Sequence, residues 1–371
     1  MMEALPHYHV DHRPSSDGEH IDHREGPGGL ATDDTQPIRP TLDQVAELAG
    51  VSRATASRAI NGSGLVSAEA RDAVARAVER LSYAPNLAAR SLVTRRTDTI
   101  AVVVSEPESR VFSDPFFRMM VHGIETALGE TELQLVLLLA QSARGHDKVE
   151  RYLRQGHVDG VILVSLHGAD PLPRALTGAR IPAVLFGRPR AGERLPSVDA
   201  DNRGGALLAT GHLLSQGRRK VATITGPLDM AVAEDRLDGY TAALAEHGVR
   251  LRKGLVANGD FSPDSGRRAM AALLRRHPDV DGVFAANDLM AVGALQALAA
   301  AGRLVPSDVA VVGFDDMPEA RSAEPPLTTV RQPLAAMTRA MTGLLLRCIE
   351  GTVSEDEHLV FPTRLVSRAT A

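Results

Sequence analysis

A single cysteine, Cys348, stands in a chain of 371 residues. One thiol excludes an intrachain disulfide and suits a reducing compartment. Its place beside the apolar run Leu344-Leu-Leu346 argues for a buried, inert thiol rather than a redox switch. Missing too are a signal peptide and any apolar run long enough to span a bilayer, so a cytoplasmic protein without a membrane partner is expected. There is no Gly-x-x-x-x-Gly-Lys-Ser/Thr loop, no nucleophile elbow and no His/carboxylate cluster at metal-ligand spacing. An enzyme is therefore not expected, and neither a cofactor nor a metal is called for. Residues 1–39 have few aliphatic side chains, with eight acidic against three basic residues (net −5) and five of the thirteen histidines. Such a segment buries too little to offset the entropy of ordering, so a disordered acidic tail is expected. Its His7-Tyr-His9 and His12 read as solvated imidazoles rather than a metal site, and Gly26-Pro-Gly-Gly29, with no strand before it, reads as linker.

Beyond the tail, residues 40–96 are dense in signal. Thr41 opens an apolar-periodic stretch, and Gln44 three residues later completes a capping box. Leu42, Val45, Leu48 and Ala49 are expected on one helical face. Gly50 supplies the permissive backbone that ends a helix, with Val51 plugging the corner. Ser52 then caps a second helix, in which Ala56, Ala59 and Ile60 point inward. Arg53, Ala54, Thr55, Ser57 and Arg58 are left facing out, a surface with donors for base edges and phosphates. After the Asn61-Gly-Ser-Gly64 loop, Ser67 caps a third helix whose Ala70, Val74, Ala77, Val78 and Leu81 keep helical spacing. Residues 40–84 thus predict an all-α helix-turn-helix headpiece. Over residues 40–96, eight Arg face five Asp or Glu, a net of +3, in a chain whose formal total is −5. The basic excess sits where phosphate would be met.

The string Val51-Ser-x-x-Thr-x-Ser-Arg58, Asn61-Gly, Val66-Ser, Arg71 and Tyr83-x-Pro-Asn86-x-x-Ala-Arg-Ser-Leu92 resembles the headpiece and hinge of the LacI/GalR family of bacterial transcription regulators. The resemblance implies that the second helix enters the major groove of double-stranded DNA. It assigns base reading to Arg53, Ala54 and Arg58, puts Thr55 and Ser57 near phosphates, and adds Thr41, Ser52 and Asn61 to the DNA-facing set. Ala54 is a departure in character: a methyl touches a thymine methyl but forms no bidentate pair, which leaves more of the specificity to Arg53 and Arg58. The resemblance further implies a hinge and linker over 85–97, with Asn86 and Ala89 at the DNA and Leu92 inserted between central base pairs. A hinge helix of about two turns is too short to be stable alone in water and is expected to order only on DNA.

From residue 98 onward, buried-strand runs alternate with amphipathic stretches: Ile100–Val104, Leu133–Leu139, Val161–Val164, Ala183–Phe186, Val221–Ile224, Gly282–Ala285 and Val309–Gly313. This alternation predicts an α/β region of parallel sheets with helices on both faces. About 270 residues exceed one such core, so two lobes are expected.

Several motifs in this region are again similar to the LacI/GalR family: Ser197–Asn202, Arg236-Leu-Asp-Gly-Tyr240, Gly259-Asp-Phe261, Ala286–Met290, Val312-Gly-Phe-Asp-Asp316 and Pro325–Pro333. They imply a two-lobed, periplasmic-binding-protein-like effector and dimerisation domain over 98–371, with crossovers near 200, 328 and 354. The first lobe would hold about 98–200 and 331–353, the second about 201–330 and 354–371. Ligands of open α/β sheets bind at the carboxyl ends of the strands, so the effector is expected in the interlobe cleft. Motif by motif, Arg236 becomes the cationic anchor, Asn287 and Asp315 the acceptors, and Phe261 an apolar face for a ring. Phe112 and Phe116 or Phe117, in the loop after the first strand, would close the opposite side. Gly187 stands where some sugar-responsive relatives have an acidic residue, and Met230 to Ala233 approach Arg236 with mostly apolar groups, so the pocket is expected to be less polar than a disaccharide receptor's.

The expectation is a repressor that acts as a homodimer on a near-palindromic operator, controlled by a small-molecule effector. A carbohydrate is the first choice of effector, a nucleobase or other metabolite the alternative. No heptad repeat follows Val360, so no tetramerisation helix is expected. A solute-binding receptor would share the two-lobed core but has no use for residues 40–96.

Overall fold

A computed structural model describes residues 40–62, 65–84, 96–129 and 131–371. The tail 1–39 and the hinge residues Asn86, Ala89 and Leu92 lie outside the described residues. The chain divides into two compact units, one up to Pro85 and one from Asn86 on, and each is described by itself.

The first unit is built from α1 (Leu42–Ala49), α2 (Arg53–Ile60) and α3 (Ala68–Leu81). Thr41 and Gln44 form the reciprocal cap: the Gln44 N–H donates to Thr41 Oγ1 at 3.3 Å, and the Thr41 N–H to Gln44 Oε1 at 2.8 Å. Gly50 takes φ 65°, a left-handed turn that glycine enters without a Cβ clash. Ser52 and Ser67 cap α2 and α3 through the N–H groups of Thr55 and Ala70. Val45, Ala46, Ala56, Val74 and Ala77 form the buried centre, ringed by Leu42, Val51, Ile60, Leu81 and Tyr83. Leu48, expected on the inner face, is 42% exposed. The face that packs is 42, 45, 46 and 49, the i, i+3, i+4, i+7 set, so Ala46 takes the place assigned to Leu48.

The second unit contains two six-stranded sheets. The first sheet is parallel throughout, in the order β2 (Gln134–Leu139), β1 (Thr99–Val104), β3 (Gly160–Val164), β4 (Ala183–Phe186), β5 (Ser197–Ala200) and β11 (His358–Phe361). The second runs β7 (Val256–Asn258), β6 (Val221–Thr225), β8 (Gly282–Ala285), β9 (Ala310–Asp315), β10 (Thr328–Arg331) and β12 (Arg364–Val366), with only β12 antiparallel. Alternate side chains of a strand serve opposite faces. Ile100, Val102 and Val104 pack under α5 (Pro115–Leu128) and α13 (Leu334–Ile349), while Ala101 and Val103 meet α6 (Ala143–Arg154) and α7 (Leu172–Ala179). In the second lobe Ala222 and Ile224 face α10 (Pro263–Arg276) and α11 (Asp288–Ala300), and Val221 faces α8 (Asn202–Ser215) and α9 (Ala231–Glu246). Helices on both faces explain why the strands read as unbroken apolar runs.

The chain crosses between lobes after Ala200, after Arg331 and between Phe361 and Arg364. The family motifs imply a third crossover near 354, seven or more residues too early. The correction has a physical cause: His358–Phe361 is an edge strand on β5 whose side chains alternate exposed and half-buried, so it lacks the apolar run of an inner strand. Cys348, on α13, is half-buried beside the first lobe's core, and burial pushes its thiol up to about 11. Among the described residues no helix is long and apolar enough to cross a membrane.

Candidate functional site

All the parallel strands deliver their carboxyl ends toward the space between the lobes, and loops leaving those ends carry polar side chains into it. Arg236, on the second turn of α9, is buried there to 4% exposure. Its guanidinium donates from Nε to Asn202 Oδ1 at 2.9 Å, from Nη1 to the Ala286 carbonyl, and from Nη2 to Asp315 Oδ1 at 3.1 Å. The same plane lies 3.7 Å from the centroid of the Phe314 ring, a cation–π contact in a desolvated setting. A charge so deep needs this degree of pairing to be tolerated.

Its partners are held at the ends of other elements. Asp315 closes β9 with φ 105°, followed by Asp316 at φ 57°, and Phe261 after β7 has φ 66°. Non-glycine residues seldom adopt such conformations, and they cluster where a side chain must be aimed. Asp315 Oδ1 also accepts from Gln332 Nε2 at 2.9 Å, and Asn202 Nδ2 donates to Asp199 Oδ1 at 2.9 Å. A continuous network therefore runs Asp199–Asn202–Arg236–Asp315–Gln332. Its two ends lie at the first and second crossovers. Burial pushes both Asp199 and Asp315 up to about 6, against the pull of Arg236 on each.

A cavity of about 110 Å³ adjoins this network. Of the residues expected at the effector, Phe116, Phe117, Arg236, Phe261, Asn287 and Asp315 line it. Phe112 does not: it sits on α4 (Glu108–Ser113) and is 66% exposed. The segment after β1 forms α4 and α5 rather than a loop, and α4 turns Phe112 outward while α5 brings Phe116 and Phe117 in. Phe116 packs edge-on against Phe117 and Phe186, with centroids 5.4 and 5.9 Å apart. Asn287 is committed to the protein: Oδ1 caps α11 through the Met290 N–H, and Nδ2 donates to the Phe261 carbonyl, each at 2.9 Å. Sequence reasoning missed Asp199, Asn202 and Gln332 as site residues although their motifs were recognised. A polar residue immediately beside each crossover was the available signal.

Across the cleft mouth the lobes clasp one another. Arg188, after β4, donates from Nε and Nη2 to the two oxygens of Asp235 on α9, both at 3.0 Å. His167, after β3, has Nε2 3.1 Å from Glu106 in its own lobe and Nδ1 3.1 Å from Asp229 in the other. The bond to Glu106 raises the imidazole's pKa above its ordinary value, opposed by burial and helped by Asp229. Burial pushes Glu106 up, yet hydrogen bonds from His167 and Ser165 and the Arg110 charge leave it lowered.

In the headpiece, Arg53, Ala54 and Arg58 are exposed on α2, while Thr55 and Ser57 are half-buried at its rim. Thr55 and Ser52 share a hydroxyl hydrogen bond of 2.8 Å, and Asn61 Nδ2 reaches Ser57 Oγ at 3.4 Å. Thr41 is exposed at the start of α1.

Comparison with known proteins agrees with both halves. Residues 41–86 match the bacterial regulatory proteins of the lacI family, and 210–371 a periplasmic binding protein-like domain. Over 332 residues the chain is 51% identical to the HTH-type transcriptional regulator CelR of Thermobifida fusca, covering 89% of this chain and 98% of that one. The chain belongs to the LacI family of bacterial regulatory proteins. It is a transcriptional regulator. The ribose operon repressor of Halalkalibacterium halodurans is 36% identical over 334 residues, covering 89% of this chain and 96% of that one. Among solved LacI-family structures, a CelR–cellobiose complex aligns with a TM-score of 0.72 at 48% identity over 90% of this chain and all of that one. The lac repressor dimer bound to operator and the anti-inducer ONPF aligns at 0.80 and 26%, over 90% and 99%.

Proposed function

We propose that this LacI-family regulator is a repressor that binds a near-palindromic operator as a homodimer and is controlled by a sugar in the interlobe cleft. Arg53, Ala54 and Arg58 read bases, Thr41, Ser52, Thr55, Ser57 and Asn61 hold the flanking backbone, and Asn86, Ala89 and Leu92 form the hinge contacts. In the cleft Arg236 and Asp315 meet hydroxyls, Asn287 holds Phe261 in place, and Phe116, Phe117 and Phe261 give apolar faces to the ring.

The observation that carries this reading is the Asp199–Asn202–Arg236–Asp315–Gln332 network. A ligand that hydrogen-bonds Arg236 or Asp315 competes for groups whose other partners sit at two crossovers, so binding alters the crossovers' geometry. A ligand shifts a conformational equilibrium only by its differential affinity for the two states. Tying the anchor to the crossovers supplies that difference. The similarity to CelR, solved with cellobiose, supports a sugar, and that to the ribose operon repressor supports repression.

A thermal-shift screen of sugars, with cellobiose and ribose included, followed by operator binding with and without each hit, tests the reading. A stabilising sugar that changes operator affinity is the expected result. If no sugar stabilises the protein while a nucleobase does, the effector class is overturned and the DNA-binding role stands.

A further inference from the structure

Residues 1–39, with eight acidic and three basic side chains, a net of −5, end two positions before the Thr41 cap of the headpiece. The headpiece itself shows where that junction lies. Asp43, in the first turn of α1, pairs with Arg53 at the start of α2, its Oδ1 3.4 Å from Arg53 Nε. The chain therefore enters this unit beside the first turn of α2. Helix α2 carries Arg53 and Arg58 and no carboxylate, and both arginines are exposed together with Ala54. Among the described residues Arg58 has no ion-pair partner. An arginine fork takes a carboxylate through the same paired hydrogen bonds that it gives a phosphate, so a face suited to DNA is also a face suited to Asp and Glu. The Asp43–Arg53 pair is one such contact already made.

Reach and charge select the occupant of that face. Asp33 and Asp34 precede Pro40 by seven and six residues, a contour of at most about 20–25 Å. Helix α2, with eight residues, is about 12 Å long, so those carboxylates can reach Arg58 as well as Arg53. A segment tethered this closely meets the helix at an effective concentration in the millimolar range. With few apolar side chains to contribute, its contact is electrostatic and hence weakened by salt. The contact is also titratable. His7, His9, His12, His20 and His23 all lie in the tail, whereas residues 40–84, with Asp43, Glu47, Glu69, Asp72 and Glu79 against five arginines, hold no histidine. Protonation takes the tail from −5 to 0, one charge per histidine, in the pH range where imidazole changes charge.

Resting on the reading of α2 as the DNA-facing helix, we propose that the acidic tail is an intramolecular competitor for DNA: its carboxylates pair with Arg58, join Asp43 at Arg53, and cover the exposed face of α2 until a duplex displaces them. DNA affinity is then set by salt and pH as well as by the effector. The competitor is strongest with its histidines neutral and is released as they protonate. At an effective concentration of ~1 mM, a tail that docks with a Kd of ~0.1 mM weakens DNA binding by about 10-fold.

The test compares the full chain with a variant carrying Glu19→Gln, Asp22→Asn, Glu25→Gln, Asp33→Asn and Asp34→Asn, whose tail has a formal charge of 0. The chain has no tryptophan, so Ala54→Trp on α2 adds a single indole at the covered face, and Ala75→Trp, exposed on α3, serves as control. Without DNA, at low salt and about pH 8, acrylamide, an uncharged quencher, is expected to reach the Ala54→Trp indole about twofold more readily with the neutralised tail. The Ala75→Trp indole is expected to be quenched equally with either tail. Anisotropy of a fluorescent random-sequence duplex, with Ala54 in place, is expected to give a Kd about 10-fold lower for the neutralised tail, the gap closing to within about twofold at pH ~5.5 or in high salt. Equal quenching at Ala54→Trp with both tails overturns docking, and a duplex Kd that still differs is then repulsion at a distance. A change at both indoles overturns the choice of α2. Docking with an unchanged duplex Kd overturns competition. Arg58→Ala in the same duplex assay checks the reading of α2 separately: undiminished binding would take that arginine off the DNA surface, whatever the tail does.

Discussion

Arg236 commits its guanidinium to three protein acceptors before any ligand arrives, and that decides how its variants behave. Removing it strands Asp315 and Asn202 in the interior. Arg236→Ala is therefore expected to lower stability by about 3–5 kcal/mol, measured by urea unfolding, as well as to abolish the effector response. Asp315→Asn keeps one acceptor and is expected to do both more mildly. Asp315, buried, and Asp199, half-buried, also give the site a pH dependence. Asp315 rises from 3.8 to about 6 and Asp199 does likewise, so the stability attached to these groups is present below 3.8 and is lost as pH rises through about 6. Effector binding runs the other way, since the ionised carboxylates are the better acceptors: the effector Kd is expected to weaken as pH falls from 7 to 5 in calorimetry. A Kd independent of pH over that range would remove both aspartates from ligand recognition. At this scale the sequence was informative where motif and residue coincide, as for Arg236, Phe261 and Asp315. The motifs around Asn202 and Gln332 were legible but their roles were not, since each role comes from a partner 34 and 17 positions away respectively.

Among the elements, those with one buried face were the most legible. The headpiece helices carry their own start and stop signals, from Thr41, Gly50, Ser52 and Ser67, and each forms where its cap stands. Ser52→Ala is expected to cost about 1 kcal/mol in headpiece stability, followed by thermal melting of the isolated residues 40–84, and a wild-type melt would deny the cap its role. Buried strands made of unbroken apolar runs were equally plain, but β5 and β10, which are buried yet carry Ser, Asp, Thr and Arg, were not read as strands. α11 was harder, because Asp288–Ala300 is apolar nearly all round and shows no stripe. β11 was missed for the opposite reason, too little apolar character. Close helix pairs left a trace only in their glycines: a Cβ on Gly293 would stand 1.9 Å from the Pro263 carbonyl oxygen, and one on Gly239 2.1 Å from that of Arg203. Both obstacles are backbone and cannot swing aside. Gly293→Ala is expected to destabilise by about 1–3 kcal/mol in urea unfolding of the full chain, and a neutral outcome would mean that α10 and α11 pack less closely than described.

For the whole molecule, the division of labour was visible in charge before any fold was known: +3 over residues 40–96 in a chain of −5. What sequence could not supply is how the lobes hold each other, since Arg188–Asp235 and Glu106–His167–Asp229 join residues 47 to 62 positions apart. The histidine clasp makes closure pH-sensitive. Because His167 is raised above 6.5 by the carboxylates, its contribution is fully present below 6.5 and is lost as pH rises through its higher folded-state value. The Tm difference between the parent and His167→Ala is thus expected to be largest near pH 6 and to shrink toward pH 9. A difference constant with pH would leave the histidine a packing role only. The central claim, that cleft and headpiece are coupled, is tested most directly by calorimetry of the effector on the full chain with and without saturating operator. Coupling is reciprocal, so the factor by which operator changes the effector's Kd must equal the factor by which effector changes operator affinity. The expected result is a matching factor of about 5 to 150 in both directions, reduced to unity by Arg236→Ala. An effector that binds the cleft with the same Kd whether or not operator is present would contradict it.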